Sequence, residues 1–472
     1  MINISKRNIL KTAMFGSGVA SICSLTACAR MDRTSTHLNE QEFTQHVKQI
    51  KQNIQKPAIP NRDFYVEDFG AVADGKTNCT QAFAEAIKQA SQAGGGRVIA
   101  SQGIYLTGAI HLESYLELHI ARGATLSFIP DPSLYLPLVR TRYEGMELMG
   151  YSPLIYAFNK TDIAITGEGI VEGNANQDNW WAWSGKFNNR PNSQTQRASV
   201  PALVKMIEAN VPVENRILEQ NYLRPPFIQP YLCKNILIEG ITVKNSPFWC
   251  ITPVFCRSVT VNKVHCVSLG PNSDGCNPDS CSNVLIQNCI FDTGDDCIAI
   301  KSGKNTDGRR VDIPCQNIVI EDCQMKAGHG GVVIGSEVTG SVRNIFALRC
   351  FMDSPELDRA IRIKTNSVRG GIVENCHFKD IKVGQVKDAI VINYFYGEGD
   401  AGQYQPIVRN LTITNFYCEK AQRAFVINGY PTSPVSNIKL DNVQFAKVEK
   451  ESVIQHIDQL DKHNVIINGQ SF

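Results

Sequence analysis

Asn283-Val-Leu-Ile-Gln-Asn and Asn317-Ile-Val-Ile-Glu-Asp decide the fold of this chain, because the same unit recurs along much of its length. Further copies stand at Asn235-Ile-Leu-Ile-Glu-Gly, Ser258-Val-Thr-Val-Asn-Lys, Asn344-Ile-Phe-Ala-Leu-Arg, Asn410-Leu-Thr-Ile-Thr-Asn and Asn437-Ile-Lys-Leu-Asp-Asn. An earlier copy is Asp162-Ile-Ala-Ile-Thr-Gly. Ser258 and Asn283 are 25 residues apart, and Asn317 and Asn344 are 27 apart. Alternating apolar strands at that period predict a solenoid whose coils stack their strands in parallel. The Asn that opens each unit suits a turn, and in a stack it would form an Asn ladder. The expectation is an all-β, single-stranded parallel β-helix. One long domain then replaces the two or three that 472 residues suggest by length.

Upstream of the repeats, Asn78 or Thr80 caps a predicted helix that runs to about Ala93 and ends in Gly94-Gly95-Gly96. Ala82, Phe83, Ala86 and Ile87 give it one apolar side, so it is expected to cap the N-terminal end of the solenoid. A shorter helix is predicted over 39–55, with Phe43, Val47, Ile50 and Ile54 on one face. Residues 29–62 therefore read as a linker with a short helix, and 63–472 as the β-helix domain. Two polar inserts, 180–224 and 303–315, interrupt the repeats and suit a binding wall on one face. Trp180, Trp181 and Trp183 suit sugar stacking or loop packing, with packing expected for at least two. Arg309 and Arg310 read as solvated loop charges.

Residues 1–28 read as an export signal. Lys6, Arg7 and Lys11 precede an apolar run from Ala13 to Ala27 that is too short to span a bilayer. Leu25-Thr26-Ala27-Cys28 resembles the bacterial lipoprotein cleavage box, and the stretch from Ser5 to Lys11 resembles a twin-arginine signal. Cys28 is thus expected to be lipidated, placing the protein in the periplasm or cell envelope with a membrane link only through that anchor. An ordinary secretory peptide is the alternative. Of 16 cysteines, 14 lie beyond Cys23 and Cys28, an even number that permits disulfides in an oxidising compartment. A stacked column of buried thiols fits their recurrence equally well. No Cys-x-x-Cys pair points to zinc. A hydrophobic share of 43% and a charged share of 19% exclude a disordered chain. The net charge of +2 gives no sign of nucleic-acid binding.

Two stretches of the repeat region concentrate carboxylates: Pro271-Asn272-Ser273-Asp274-Gly275 and Asp292-Thr293-Gly294-Asp295-Asp296. Glycosidic hydrolysis uses such crowding, since one carboxylic acid protonates the leaving oxygen while another carboxylate activates water. Neighbouring coils lie about 4.8 Å apart. Asp274, Asp295, His329, Arg362 and Tyr396, separated by roughly one repeat each, are expected to form a column across successive coils. Asp295 and Asp296 would point to opposite faces of a regular strand unless Gly294 allows a bend. Asp279 and Asp292 read as turn caps.

Four motifs occur in order: Asn272-Ser273-Asp274, Gly294-Asp295-Asp296, Gly328-His329-Gly330 and Arg362-Ile363-Lys364. They resemble family 28 of the glycoside hydrolases, the polygalacturonases, with Ser273 in place of the usual Thr. The resemblance spans about residues 64 to 470 and implies a pectin-lyase-like right-handed β-helix. It implies hydrolysis of α-1,4 bonds between galacturonic acid units of pectin, with inversion; separately, neither cofactor nor metal is expected, and a monomer is. Asp295 would be the general acid, Asp274 and Asp296 would hold and activate the water, and His329 would tune the acid. Arg362 and Lys364 would bind the substrate carboxylate, and Asn272 and Tyr396 the sugar, with Tyr394 the alternative to Tyr396. An inverting pair is expected about 6.5–9.5 Å apart, and crowding should raise the pKa of one carboxyl. The run from Gly330 to Glu337, the 180–224 insert and Asp307-Gly308-Arg309-Arg310 resemble the bacterial exo-acting branch. Rhamnogalacturonan and xylogalacturonan are the nearest alternative substrates. A calcium-dependent pectate lyase and a non-catalytic β-helix are the rival classes.

Overall fold

The computed structural model describes residues 37–187 and 189–472. The export signal and Cys28 lie outside the described residues. One compact unit spans His37–Phe472. Its parallel strands join one large sheet that winds as a right-handed β-helix. One interior row runs through Ile163, Ile236, Val259, Val284, Ile318, Ile345, Cys376, Leu411, Ile438 and Leu460, each paired in parallel with the next. Alternation explains it: every second residue of a strand faces inward, and the repeat places an apolar one there on each coil.

The Asn ladder forms as expected. Nδ2 of Asn344 donates to Oδ1 of Asn317 at 3.0 Å, Asn375 to Asn344 at 3.2 Å and Asn410 to Asn375 at 3.0 Å. Asn437 continues it to Asn410 at 2.8 Å. All of these residues sit at positive φ, near +55°, a conformation that Asn adopts more readily than other side chains. The cysteines from Cys79 to Cys418 are all buried free thiols. Among the described residues, stacked thiols and not disulfides fill their positions.

Helix α1 (Glu40–Asn53) opens with a capping box between Asn39 and Glu42. Phe43, Val47 and Ile50 bury against Leu285, Val319, Phe346 and Leu348 on the outer flank of the solenoid. Segment 37–62 is therefore docked on the β-helix, and the compact unit begins before residue 63. Helix α2 (Thr80–Gln92) closes the N-terminal end, with Phe83 edge-on to Tyr105 at 6.0 Å. Asn78 Oδ1 accepts from the Thr80 amide at 3.0 Å at its start.

The first insert contains helix α3 (Gln196–Glu208), whose Leu203 and Ile207 pack with Tyr143, Phe248 and Trp249. Trp180 and Trp183 are buried, and Trp181 Nε1 donates to the Ser246 carbonyl at 2.8 Å. The second insert is a helix, α4 (Asn305–Val311). Its arginines stay partly solvated, Arg310 exposed and Arg309 half-buried, but each also has a partner. Arg310 Nε donates to Asp307 at 2.7 Å and its Nη2 to Glu147, while Arg309 lies over the Tyr404 ring at 3.7 Å. A hairpin not singled out by its sequence, Val139–Tyr143 with Met146–Gly150, joins these inserts. No helix among the described residues is long and apolar enough to cross a membrane.

Candidate active site

The floor of the cleft is laid by strands Ile298–Ile300, Val332–Gly335 and Arg359–Lys364, paired in parallel. Alternation turns Ile361 and Ile363 into the core and leaves Arg362 and Lys364 on the outer face, as expected. Asp295 and Asp296 arrive from the turn that precedes Ile298–Ile300, and Asp274 from the coil before it, just ahead of Cys276, which bridges Ile298. One carboxylate oxygen from each aspartate lies within 4.8 Å of those of the other two.

Backbone hydrogen bonds correct the expected single column. Gly275 N donates to Asp296 O at 3.0 Å, and His329 N donates to Asp295 O at 3.1 Å. Asp274 thus neighbours Asp296, whereas Asp295 neighbours His329. Arg362 lies further along its strand, opposite Val333. Asp274, Asp295 and Tyr396 line one cleft, which Arg362 reaches through Asp296 and His329 through Asp295, from positions staggered because the inserted loops change the path length of each coil. Gly294 allows the two adjacent aspartates to share the cleft through close approach. A Cβ there would meet the Gly270 carbonyl oxygen at 2.2 Å.

Asp274 Oδ2 accepts from Asn277 Nδ2 at 2.8 Å and lies 3.6 Å from Lys301 Nζ. Asp296 is held by Lys364 Nζ at 2.5 Å and by Arg362 Nη1 at 3.3 Å. Asp295 Oδ1 takes the Asp296 amide at 3.0 Å and His329 Nδ1 at 3.0 Å, which leaves its Oδ2 for the cleft. The Tyr396 ring lies 5.4 Å from the Arg362 guanidinium and 5.1 Å from Lys364 Nζ. Tyr394 is instead a core residue whose hydroxyl accepts from the Val408 amide at 2.8 Å. Ser273 Oγ is 2.6 Å from the carbonyls of both Ser268 and Gly270, so the hydroxyl at this position ties the turn together.

The spacing of the carboxylates is tighter at their closest oxygens than the 6.5–9.5 Å expected of an inverting pair. The proton distribution also differs from the expectation that Asp295 holds it. Burial, and then the neighbouring Asp295, push the Asp274 carboxyl up to about 8. Burial pushes Asp295 up as well, but the His329 hydrogen bond and nearby cations outweigh it and hold Asp295 below the usual carboxylate range. The same contact raises the His329 imidazole above its ordinary value. Carboxylates this close disfavour one another's charged forms, and the surroundings of Asp274 favour its protonated form most.

Sequence reasoning missed a layer of paired charge around the triad, buried at Lys301, Glu337 and Arg369. Lys301 Nζ donates to Glu337 Oε2 at 3.0 Å and lies 4.5 Å from the Trp249 ring centre. Lys304 pairs with Glu144 at 2.8 Å and Arg369 with Glu398 at 3.1 Å. These groups line the same cavity of about 250 Å³ as Asn272, the aspartates, Lys364 and Tyr396. Asp279 is no turn cap: it is fully buried and accepts from Arg142 Nη1 at 2.9 Å and from the Gly303 amide at 3.1 Å. Asp292 lies outside this cavity, in the neighbouring cleft beside His329. The triad offers one oxygen each to a cation, yet Asp296 already meets two cations and Asp274 a third. That donor set is suited to lysine and arginine and not to a metal ion.

A family model described as Glycosyl hydrolases family 28 matches residues 212–464. The hyperthermoactive exopolygalacturonase from Thermotoga maritima is 40% identical to this chain, with a TM-score of 0.87 over 91% of this chain and 97% of that one. A "Probable polygalacturonase" from Vitis vinifera is 29% identical over 392 residues, covering 80% of this chain and 72% of its own length. The "Exo-poly-alpha-D-galacturonosidase" of Dickeya chrysanthemi is 24% identical over 351 residues, 71% of this chain and 57% of that protein.

Proposed function

The chain belongs to glycosyl hydrolase family 28, and from that premise we propose that it is an exo-acting polygalacturonase that releases galacturonate from chain ends. The observation that carries this reading is the carboxylate triad set among Lys364, Arg362, Lys301, Lys304 and Arg369 in one cleft. A polyanionic sugar meets cations there, while carboxyl groups face the bond to be cut.

Asp295 is the general acid in this reading. In the reacting form Asp295 carries a proton on the oxygen that His329 does not hold, and this proton passes to the leaving glycosidic oxygen as the anomeric C–O bond breaks. Asp296 takes the proton of the attacking water. Asp274, whose burial beside another acid favours its protonated form, holds the same water by donating to it. One water with hydrogen bonds of about 2.8 Å on each side bridges oxygens up to roughly 5.5 Å apart, so a separation within 4.8 Å accommodates it. Attack from the water's side opposite the leaving group inverts the anomeric carbon. Arg362 and Lys364 bind the carboxylate of the substrate, and Tyr396 and Asn272 contact the sugar. Arg is suited to a bidentate carboxylate contact, and Lys to a point contact. We further propose export through the N-terminal signal, with lipid attachment at Cys28.

The test is a time course on polygalacturonate, with products separated by size and their first anomeric form read by NMR. Monomer from the earliest point, in the inverted configuration, supports the reading. A ladder of oligomers overturns exo action, retained configuration overturns the water-attack scheme, and unsaturated, chelator-sensitive products overturn hydrolysis.

A further inference from the structure

Arg224 closes the first insert and is buried, with its guanidinium 5.1 Å from the Phe248 ring centre. It forms no ion pair among the described residues. Its partners are all neutral oxygens: Pro247 O at 3.0 Å, Pro271 O at 2.6 Å, Gln196 Oε1 at 2.9 Å and Asn272 Oδ1 at 2.7 Å. Its Nε is buried with no partner at all. A buried cation without a carboxylate, and with one donor unsatisfied, costs stability that a well-packed apolar side chain would not. Packing alone does not account for it.

Two of the four acceptors belong to the turn that carries Asp274. Guanidinium has five donors and no acceptor, so Asn272 can only offer it the amide oxygen. The amide NH2 of Asn272 is thereby turned the other way, and the residue lines the cleft beside Asp274 and Asp295. Without Arg224 the two ends of that amide would compete for the cleft. Gln196 Oε1 also accepts from the Tyr143 hydroxyl at 2.7 Å, so α3, the hairpin and the turn meet at one guanidinium.

We infer that Arg224 is a positioning residue, which fixes Asn272 with its NH2 donor toward an acceptor oxygen, hydroxyl or carboxylate, of the bound galacturonate unit. The inference rests on the hydrolase reading above. It gives the first insert a second task beyond walling the cleft: it orients a group on the catalytic turn.

The experiment measures kcat and KM with trigalacturonate for Arg224→Lys, Asn272→Ala and the double variant, with folding followed by circular dichroism. Lys keeps the charge but loses the fork that reaches Gln196, Pro271 and Asn272 together. Each single change is expected to lower kcat/KM about tenfold or more, and the double variant to be no worse than the poorer single. Asn272→Asp is expected to hold or raise the melting temperature by pairing with Arg224, yet lose activity like Asn272→Ala, because the donor is gone. A folded Arg224→Lys with wild-type kcat/KM overturns the inference, as do losses that multiply in the double variant. If Arg224→Lys does not fold, Gln196→Leu decides: a threefold or larger fall in kcat/KM supports the inference, and an unchanged value overturns it. Wild-type protein that releases no galacturonate overturns the hydrolase reading itself, and this inference with it.

Discussion

Asp274 and Asp295 present oxygens no more than 4.8 Å apart, yet their surroundings send their carboxyls in opposite directions. Burial beside another acid pushes the Asp274 carboxyl up, while the hydrogen bond to His329 holds Asp295 down and raises the imidazole. Proximity raises one acid at the expense of the other, and His329 decides which.

Activity is expected to fall on the alkaline side as pH rises through the His329 value, which lies above that of free imidazole. His329→Ala should remove that limb or move it, and lower kcat by about 10²–10⁴-fold, the range of a lost proton donor. A pH–kcat profile of both proteins checks this.

Asp274 should cost the protein stability at neutral and alkaline pH. Its folded value of about 8 exceeds the unfolded carboxyl value, so the folded state binds more protons between roughly pH 4 and 8 and stability falls across that window. Asp274→Asn is expected to be inactive but more stable than wild type above pH 8, on the order of a few kcal/mol. The two should converge near pH 4 in urea melts.

Lys364→Met leaves Asp296 with Arg362 as its remaining cation. A charge-assisted hydrogen bond is worth about 1.5–3 kcal/mol, so kcat/KM on oligogalacturonate should drop about 10- to 100-fold. Potassium or ammonium ions should not restore it, because the site is built for a tethered cation.

The ladder predicts a stability effect far from the chemistry. Asn344 both donates to Asn317 and accepts from Asn375, at φ +58°. Asn344→Ala loses two side-chain hydrogen bonds and strains the left-handed backbone, for a cost of about 2–4 kcal/mol. Asn344→Gly should cost less, since the strain is relieved. Chemical denaturation with unchanged kcat separates the two contributions.

Hydrolysis should be indifferent to chelator. Cations of the protein already occupy the approaches to Asp274 and Asp296, and EDTA is expected to leave the rate on polygalacturonate within about twofold of the untreated value.

The solenoid was legible because its signal is periodic: the interior row from Ile163 to Leu460 is an alternation that any copy of the repeat displays. Asp274, Asp295, Asp296, His329, Arg362 and Lys364 were legible because short ordered motifs carry them, and the structure gathers all six. The stagger between Asp274 and Asp295 was not, because insert lengths decide it and no strand pattern encodes them. Lys301, Glu337, Arg369 and Arg224 were silent for a related reason. Their partners come from segments far apart in the chain, as with Arg142 and Asp279, 137 residues apart. A lone charge in a sequence looks solvated until the fold supplies its counterpart.

Helix α1 has a heading as well as a face. His37 meets Thr412 and Asn437 on late coils, whereas Lys51 reaches Glu321 on an earlier one. Fourteen residues of helix advance about 21 Å, close to the height of four or five stacked coils. The chain therefore enters the β-helix beside its C-terminal coils and travels backward along the flank before the first strand begins. Residues 37–53 thus strap together coils that are not neighbours in sequence, so removing this segment would loosen several coil junctions at once.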